Sequence, residues 1–392
     1  MRVYLDHNAT TPLDPDVLRA MMPFLAEGFG NPGSLHIWGR EARQALERAR
    51  ATIALALGAS DKDSIVFTSG GTEADNLALM GAAMARAKDG RHLILSCVEH
   101  HAVLNTAAHL TRQGFEVTYL SVDSQGCLDP EDVRRAIRPD TILVSLMHSN
   151  NETGVLFPAA AVGRLCRERG VTFHTDAVQS FGKVFLDVEA LHIDLLSLSG
   201  HKLYGPKGIG ALFIRRGTKM YPLLHGGMQE RSRRAGTENV AGAVGLARAA
   251  EISAHDRDRE GKRVANLRDR LEQGLMATIS GVLRNGHPTQ RLVHTSNLAF
   301  AGVEAESLIL ALDLAGIAVS SGAACSSGSL EPSHVLTAMG FAPDRVKSSV
   351  RFSLGRTTTE EEIERVLEIV PRTVARMRGV NTGLLSSAEA RG

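Results

Sequence analysis

The sequence predicts an α/β protein: a mainly parallel, seven-stranded sheet with helices on both faces, plus a smaller α+β domain. Three observations carry this prediction. Seven apolar runs of strand length recur as far as Ile214. Amphipathic stretches such as "TEADNLALMGAAMARA" and "PAAAVGRLCRERG" lie between many of them, the rhythm of strands joined by crossover helices. The runs are continuously apolar rather than alternating, as strands covered on both faces are.

Taken in order, the strands are "SIVFTS" (64–69), "HLILS" (92–96), "FEVTYL" (115–120), "ILVSLMH" (142–148), "VTFHTD" (171–176), "DLLSLS" (194–199) and "GALFI" (210–214). Residues 238–275 read as long helical material containing the charged run "AHDRDREGKR". The smaller unit follows, with strands "SNLAFA" and "SVRFSL" and the helix "TTEEEIERVLEIVPRTVARM". The expected division is a large domain over 13–255 and a small one built from 1–12 and 256–392. The closing "NTGLLSSAEARG" reads as a loosely held tail.

Composition narrows the function. At 43% hydrophobic and 22% charged residues, the chain has an ordinary globular balance. A formal net charge of +1 supplies no global field to recruit nucleic acid or an anionic membrane. The N-terminal "MRVYLDHNATTP" has no secretory apolar region, and the most apolar run, "LILALDLAGIAV", is broken by Asp313. A cytoplasmic protein is expected. Cys97, Cys127, Cys166 and Cys325 are scattered without CxxC spacing, which predicts reduced thiols and no metal site.

Ligands of α/β sheets sit outside the carboxyl ends of the strands, and polar residues cluster at those ends here. "TSGGTEADN" places Gly71 and Thr72 at a helix start, either as an ordinary cap or as a phosphate cradle. "CVEHHAVL" places His100 at the next, as a cap or a catalytic group. "SNNETG" supplies Asn150 and Asn151, and "DAVQS" supplies Asp176 and Gln179. A strand-end aspartate either caps a helix or holds a heterocyclic nitrogen protonated. In "SLSGHKLYGPKGIGAL", Lys202 is either a solvated turn lysine or a nucleophile that forms a Schiff base with a carbonyl group.

Five successive strand ends carrying such groups suit pyridoxal 5′-phosphate. Lys202 would hold the aldehyde and Asp176 the ring nitrogen. Asn151 and Gln179 would bond the ring oxygen, and Ser199, His201 and Thr72 the phosphate. Cys325 lies in "SSGAACSSGSLEP", almost purely small residues between an apolar strand and a proline-started helix. Such a segment predicts a mobile tether for a reactive thiol. Cys97, read in a strand, and Cys166, read in a helix, are expected to be packed.

The chain also resembles the cysteine desulfurases of the class V aminotransferase group, closest to the NifS/IscS branch. The resemblance runs through "YLDHNATTP", "NPGSLH", "FTSGGTEADN", "VEHHAVL", "NNETGV", "HTDAVQSFGK", "SGHKLYGPKGIGAL", "RAGTEN", "SSGAACSSGSLEPS" and "VRFSLGR". It implies a fold-type I, pyridoxal-phosphate-dependent transferase that converts L-cysteine to L-alanine. Cys325 would take the sulfur as a persulfide for iron–sulfur cluster assembly on a scaffold protein, with nitrogenase clusters one destination. It implies that His100 stacks on the ring and moves protons. It further implies Thr237 as a phosphate ligand given across a homodimer interface, and Arg351 as the clamp on the substrate carboxylate, with Arg356 its rival. A selenocysteine lyase, or another class V enzyme acting on an amino acid, is the alternative. Met228 and Ser232 in "HGGMQERSRRAG" stand where the family carries glycines, so a left-handed backbone there would be strained.

Overall fold

A computed structural model describes residues 1–322 and 332–389, with side chains through residue 379. After a short β1 (Val3–Tyr4), the seven apolar runs become β2 (Ile65–Thr68), β3 (His92–Ser96), β4 (Glu116–Leu120), β5 (Thr141–Ser145), β6 (Thr172–Asp176), β7 (Leu195–Ser199) and β8 (Gly210–Ile214). They form one sheet in the order β2-β8-β7-β6-β5-β3-β4. All neighbouring pairs are parallel except those of β8, which is antiparallel to β2 and β7.

Eight helices accompany this part of the chain: α1 (Pro15–Ala26), α2 (Ile37–Ala56), α3 (Gly71–Arg86), α4 (His101–Arg112), α5 (Pro130–Ala136), α6 (Ala159–Arg169), the four-residue α7 (Gln229–Ser232) and α8 (Val240–Thr278). Adjacent strand residues point to opposite faces. Leu93 and Leu95 accordingly join Leu77 of α3 and Val103 of α4 in one core, whereas Ile94 joins Ile53 of α2 and Val162 of α6 in another. Both faces are covered, which is why the strands read as unbroken apolar runs.

The remaining sheet is antiparallel, β9 (Val282–Asn285), β10 (Thr295–Phe300) and β12 (Ser349–Ser353) in the order β12-β10-β9. A parallel pair, β1 with β11 (Ile317–Ala318), lies beside it. Its core takes Leu308 from α9 (Ala305–Leu314) and Ile363 and Val370 from α12 (Glu360–Glu389). Short helices α10 (His334–Ala338) and α11 (Pro343–Lys347) complete the chain order. Helix α8 serves two cores: Ala243 to Ala250 pack under the large sheet, and Val264 to Leu275 under the small one. The charged run "AHDRDREGKR" is the stretch between them. The apolar run ahead of Cys325 is mainly helix α9, with only Ile317–Ala318 as strand. No helix among the described residues is long and apolar enough to cross a membrane.

Candidate active site

The carboxyl ends of the parallel strands meet at one edge. From β2 the chain turns through Gly70 into α3, whose N-cap has no side-chain hydrogen bond. The first N–H groups of α3 are therefore available to an anion. Gly71 is required by close packing, since a Cβ there would lie 2.7 Å from Val178 Cγ2 and 3.6 Å from Ser199 Cβ. Ser199 thus sits beside the turn. The His201 carbonyl accepts from the Thr11 N–H and hydroxyl at 3.0 and 2.9 Å, and His201 Nδ1 lies 3.1 Å from Thr10 Oγ1.

Lys202 follows, its Nζ donating to the carbonyls of Asn8 at 2.5 Å and Ala9 at 2.7 Å. Burial, and then the charge of Arg351, lower its pKa to about 8, against the pull of Asp6 and Asp176. A lysine in that range keeps a useful uncharged fraction near neutrality. Asp176 ends β6, and its Oδ1 accepts the Val178 N–H at 2.8 Å. Burial raises its carboxyl pKa, and Asp75 behind it is raised by burial and by Asp176 itself. An aspartate so placed favours a cationic partner.

Gln179 Nε2 donates to the Asn8 carbonyl at 2.9 Å, and its Oε1 is buried without a partner. The two asparagines separate cleanly. Asn150 Oδ1 accepts the N–H groups of Glu152 and Thr153, both at 2.9 Å, and so shapes the loop. Asn151 accepts through its carbonyl, from Arg351 at 2.8 Å and Asn8 at 3.1 Å.

His100 is the N-cap of α4, and its Nδ1 accepts the Ala102 N–H at 3.1 Å. Burial first, then Lys202, His101 and His334, lower its pKa to about 4. The ring is neutral, and with Nδ1 accepting, Nε2 carries the proton. The capping geometry and a role in proton transfer are compatible. Thr72 and His100 line one cleft of about 520 Å³.

Arg351 lies on β12, 4% exposed, with one arm on Asp6 at 2.8 Å and its Nε unpartnered. Arg356 is turned elsewhere: it stacks 4.0 Å over the Tyr204 ring and faces Asp14 at 3.4 Å. Thr237 is exposed, in the segment before α8. Cys325 lies outside the described residues. Cys166 is fully buried, whereas Cys97 sits half-buried in the turn after β3 rather than in a strand. Among the described residues, no group of three His, Cys, Asp or Glu side chains is arranged to hold a metal ion.

Two features escaped the sequence reading. Asn8, within "YLDHNATTP", joins Lys202, Gln179, Asn151 and Thr295 through its own polar atoms. At "HGGMQERSRRAG", Ser232 does occupy a left-handed backbone at φ 62°, but Met228 does not, and Glu230 and Arg231 share the strain at 46° and 56°. The buried Glu230 anchors this turn, accepting from Arg50 at 2.6 and 2.8 Å and from the Phe67 N–H at 3.0 Å. Arg234 then clamps Glu73, in the first turn of α3, at 2.8 and 3.2 Å.

Residues 3–366 match the family described as aminotransferase class-V, and the chain belongs to that family. The fold-type I architecture expected from the sequence is the one observed. The chain is 52% identical over 379 residues to the cysteine desulfurase IscS of Methanosarcina thermophila, covering 97% of this chain and 93% of the relative. It is 51% identical to cysteine desulfurase 2 of Trichormus variabilis, covering 97% and 94%. A solved structure titled NifS-like protein superposes with a TM-score of 0.90 at 38% identity, covering 96% of this chain and all of that one. Within the class-V family, the chain is one of the cysteine desulfurases.

Proposed function

We propose that the protein binds pyridoxal 5′-phosphate at Lys202 and converts L-cysteine to L-alanine, passing the sulfur to Cys325 as a persulfide. The observation that carries this reading is the single edge on which a lysine of lowered pKa, a buried aspartate and an uncapped glycine turn converge. The donor set fits the cofactor. Lys202 would hold its aldehyde carbon and Asp176 its ring nitrogen. The N–H groups of Gly71 and Thr72, with Ser199 and His201, would hold its phosphate. The unpartnered Gln179 Oε1 can accept from a ring hydroxyl, and Asn151 would supply the second bond to the ring oxygen.

When bound, the cofactor supplies an electron sink joined to the amino group of the substrate. Arg351 meets the substrate carboxylate. Lys202, partly uncharged at neutral pH, can take a proton, and His100 can hold or give one at Nε2. The Cys325 thiolate attacks the substrate sulfur: the sulfur–sulfur bond forms as the carbon–sulfur bond breaks. The electron pair left on carbon ends in a carbon–hydrogen bond, and L-alanine leaves.

The wider reading places the large domain at 13–255 and the small one at 1–12 and 256–392, in a cytoplasmic homodimer. Two features support the dimer. Leu18, Met22 and Leu25 of α1 and the following Phe29, Leu35 and Trp38 expose apolar surface. Thr237, the proposed phosphate ligand, is exposed on its own chain. The sulfur acceptor would be an iron–sulfur scaffold protein. Purified protein should absorb in the near-visible and, with a thiol present to reduce the persulfide, release alanine and sulfide equally from L-cysteine. Protein that stays colourless and inactive after incubation with pyridoxal phosphate refutes the reading.

A further inference from the structure

Next to the Lys202 turn, a partly open cavity of about 80 Å³ is lined by Lys183, His7, Tyr204, Ser253 and His294. Its hydrogen bonds can be assigned from donor and acceptor chemistry. One amide atom of Asn8 lies 3.1 Å from the Asn151 carbonyl, which only accepts, so that atom is Nδ2 and the other is Oδ1. His294 Nε2, 2.9 Å from Asn8 Oδ1, must therefore carry the proton and donate it. Lys183 Nζ stands 3.3 Å from that same Nε2. An ammonium there sets donor against donor, whereas an uncharged amine accepts a share of the Nε2 proton.

The surroundings favour the uncharged amine. The carboxylates lining the cavity are engaged elsewhere, Asp256 by Arg259 at 2.9 Å and Glu260 by Arg263 at 3.0 Å. The other charged groups of the lining, Arg257 and Arg356, are cations. His7 is buried and kept neutral, with its Nε2 unpartnered. Burial, and then the charges of Lys202 and Arg351, bring the Lys183 pKa down to about 7.

We propose that Lys183 is a positioning residue for Lys202: its uncharged amine keeps His294 in the tautomer that fixes Asn8, whose carbonyl orients the Lys202 amine. Protonation reverses the demand. An ammonium at Lys183 calls for the Nε2 lone pair, the His294 proton moves to Nδ1, and Asn8 Oδ1 loses its donor. Asn8 keeps its Nδ2 bonds to Asn151 and Thr295 and its N–H bond to Ser353, but the residue whose carbonyl serves Lys202 and Gln179 has lost its one donor on Oδ1. The proposal rests on the reading of Lys202 as the cofactor lysine.

The test uses the apoprotein and the rate at which it takes up pyridoxal phosphate, followed by growth of the near-visible band between about pH 6 and about pH 9. Titration of Lys202 alone gives a roughly tenfold loss per pH unit on the acid side. Wild type should steepen below about pH 7 toward a hundredfold, because two protonations now oppose uptake. Lys183→Met, or Lys183→Gln if the first does not fold, should keep the tenfold slope throughout. Lys183→Arg, always charged, should be slowed at least tenfold even at about pH 8. A neutral variant that retains the steep limb, or Lys183→Arg with wild-type uptake, overturns the proposal. Lys202→Ala with an unchanged band would instead refute the assignment of Lys202, a separate result.

Discussion

Each side chain at the sheet edge is placed where its ordinary ionisation is unfavourable. Asp176 is the clearest case, because burial raises its pKa to about 6 while the unfolded chain ionises it near the usual value. Between those values the native state binds the extra proton, so the carboxylate costs stability as pH rises through them. In the apoprotein, Asp176→Asn should therefore be more stable than wild type at about pH 8, by up to about 3 kcal/mol. The gain should shrink as pH falls toward about 4. Urea denaturation at the two pH values checks this, and a gain independent of pH would contradict it. The same variant should lose most turnover, since an amide cannot hold the ring nitrogen protonated. Lys202 and Asp176 were legible because each ends or follows an apolar run. Asn8 and Lys183 were not: their roles arise from partners distant in the chain, and no local pattern marks them.

At the scale of elements, the turn at Glu230–Ser232 shows strain held in place by burial. Three successive non-glycine residues in left-handed backbone each cost about 1–2 kcal/mol. The buried Arg50–Glu230 pair and the Phe67 N–H hold them there. Ser232→Gly should therefore stabilise the protein by about 1 kcal/mol. Glu230→Ala should destabilise it by roughly 3–5 kcal/mol, because Arg50 is left charged and buried. It should also weaken cofactor retention, since Arg234 holds the first turn of α3 from this segment. Equal stabilities for the three proteins in denaturant would refute the account of the turn. The strands of the large sheet were readable because both faces are buried. β9 was not, because "VLRN" is short and mixes two polar residues into an edge strand. The run ahead of Cys325 was ambiguous for a related reason, since short apolar runs do not distinguish a helix from a strand.

At the scale of the whole molecule, α8 spans both cores, so the lysine edge of the large sheet and Arg351 of the small one meet across Asn8 and Asn151. A homodimer in which Thr237 serves the partner's phosphate site makes a further prediction. Lys202→Ala and Thr237→Ala proteins should each be weak alone. After subunit exchange, a mixture should recover about a quarter of wild-type sites, because half of the dimers are hybrids with one intact site. No recovery would place Thr237 in its own chain's site. The central claim is sulfur transfer from L-cysteine to Cys325, and it has one direct measurement. Holoenzyme is treated with L-cysteine without reductant, alkylated and digested, and the mass of the Cys325 peptide is read. The account predicts one added sulfur atom on that peptide, absent when Lys202 is replaced by alanine. An unmodified Cys325 peptide from enzyme that forms alanine and sulfide at full rate once a thiol reductant is added would contradict it.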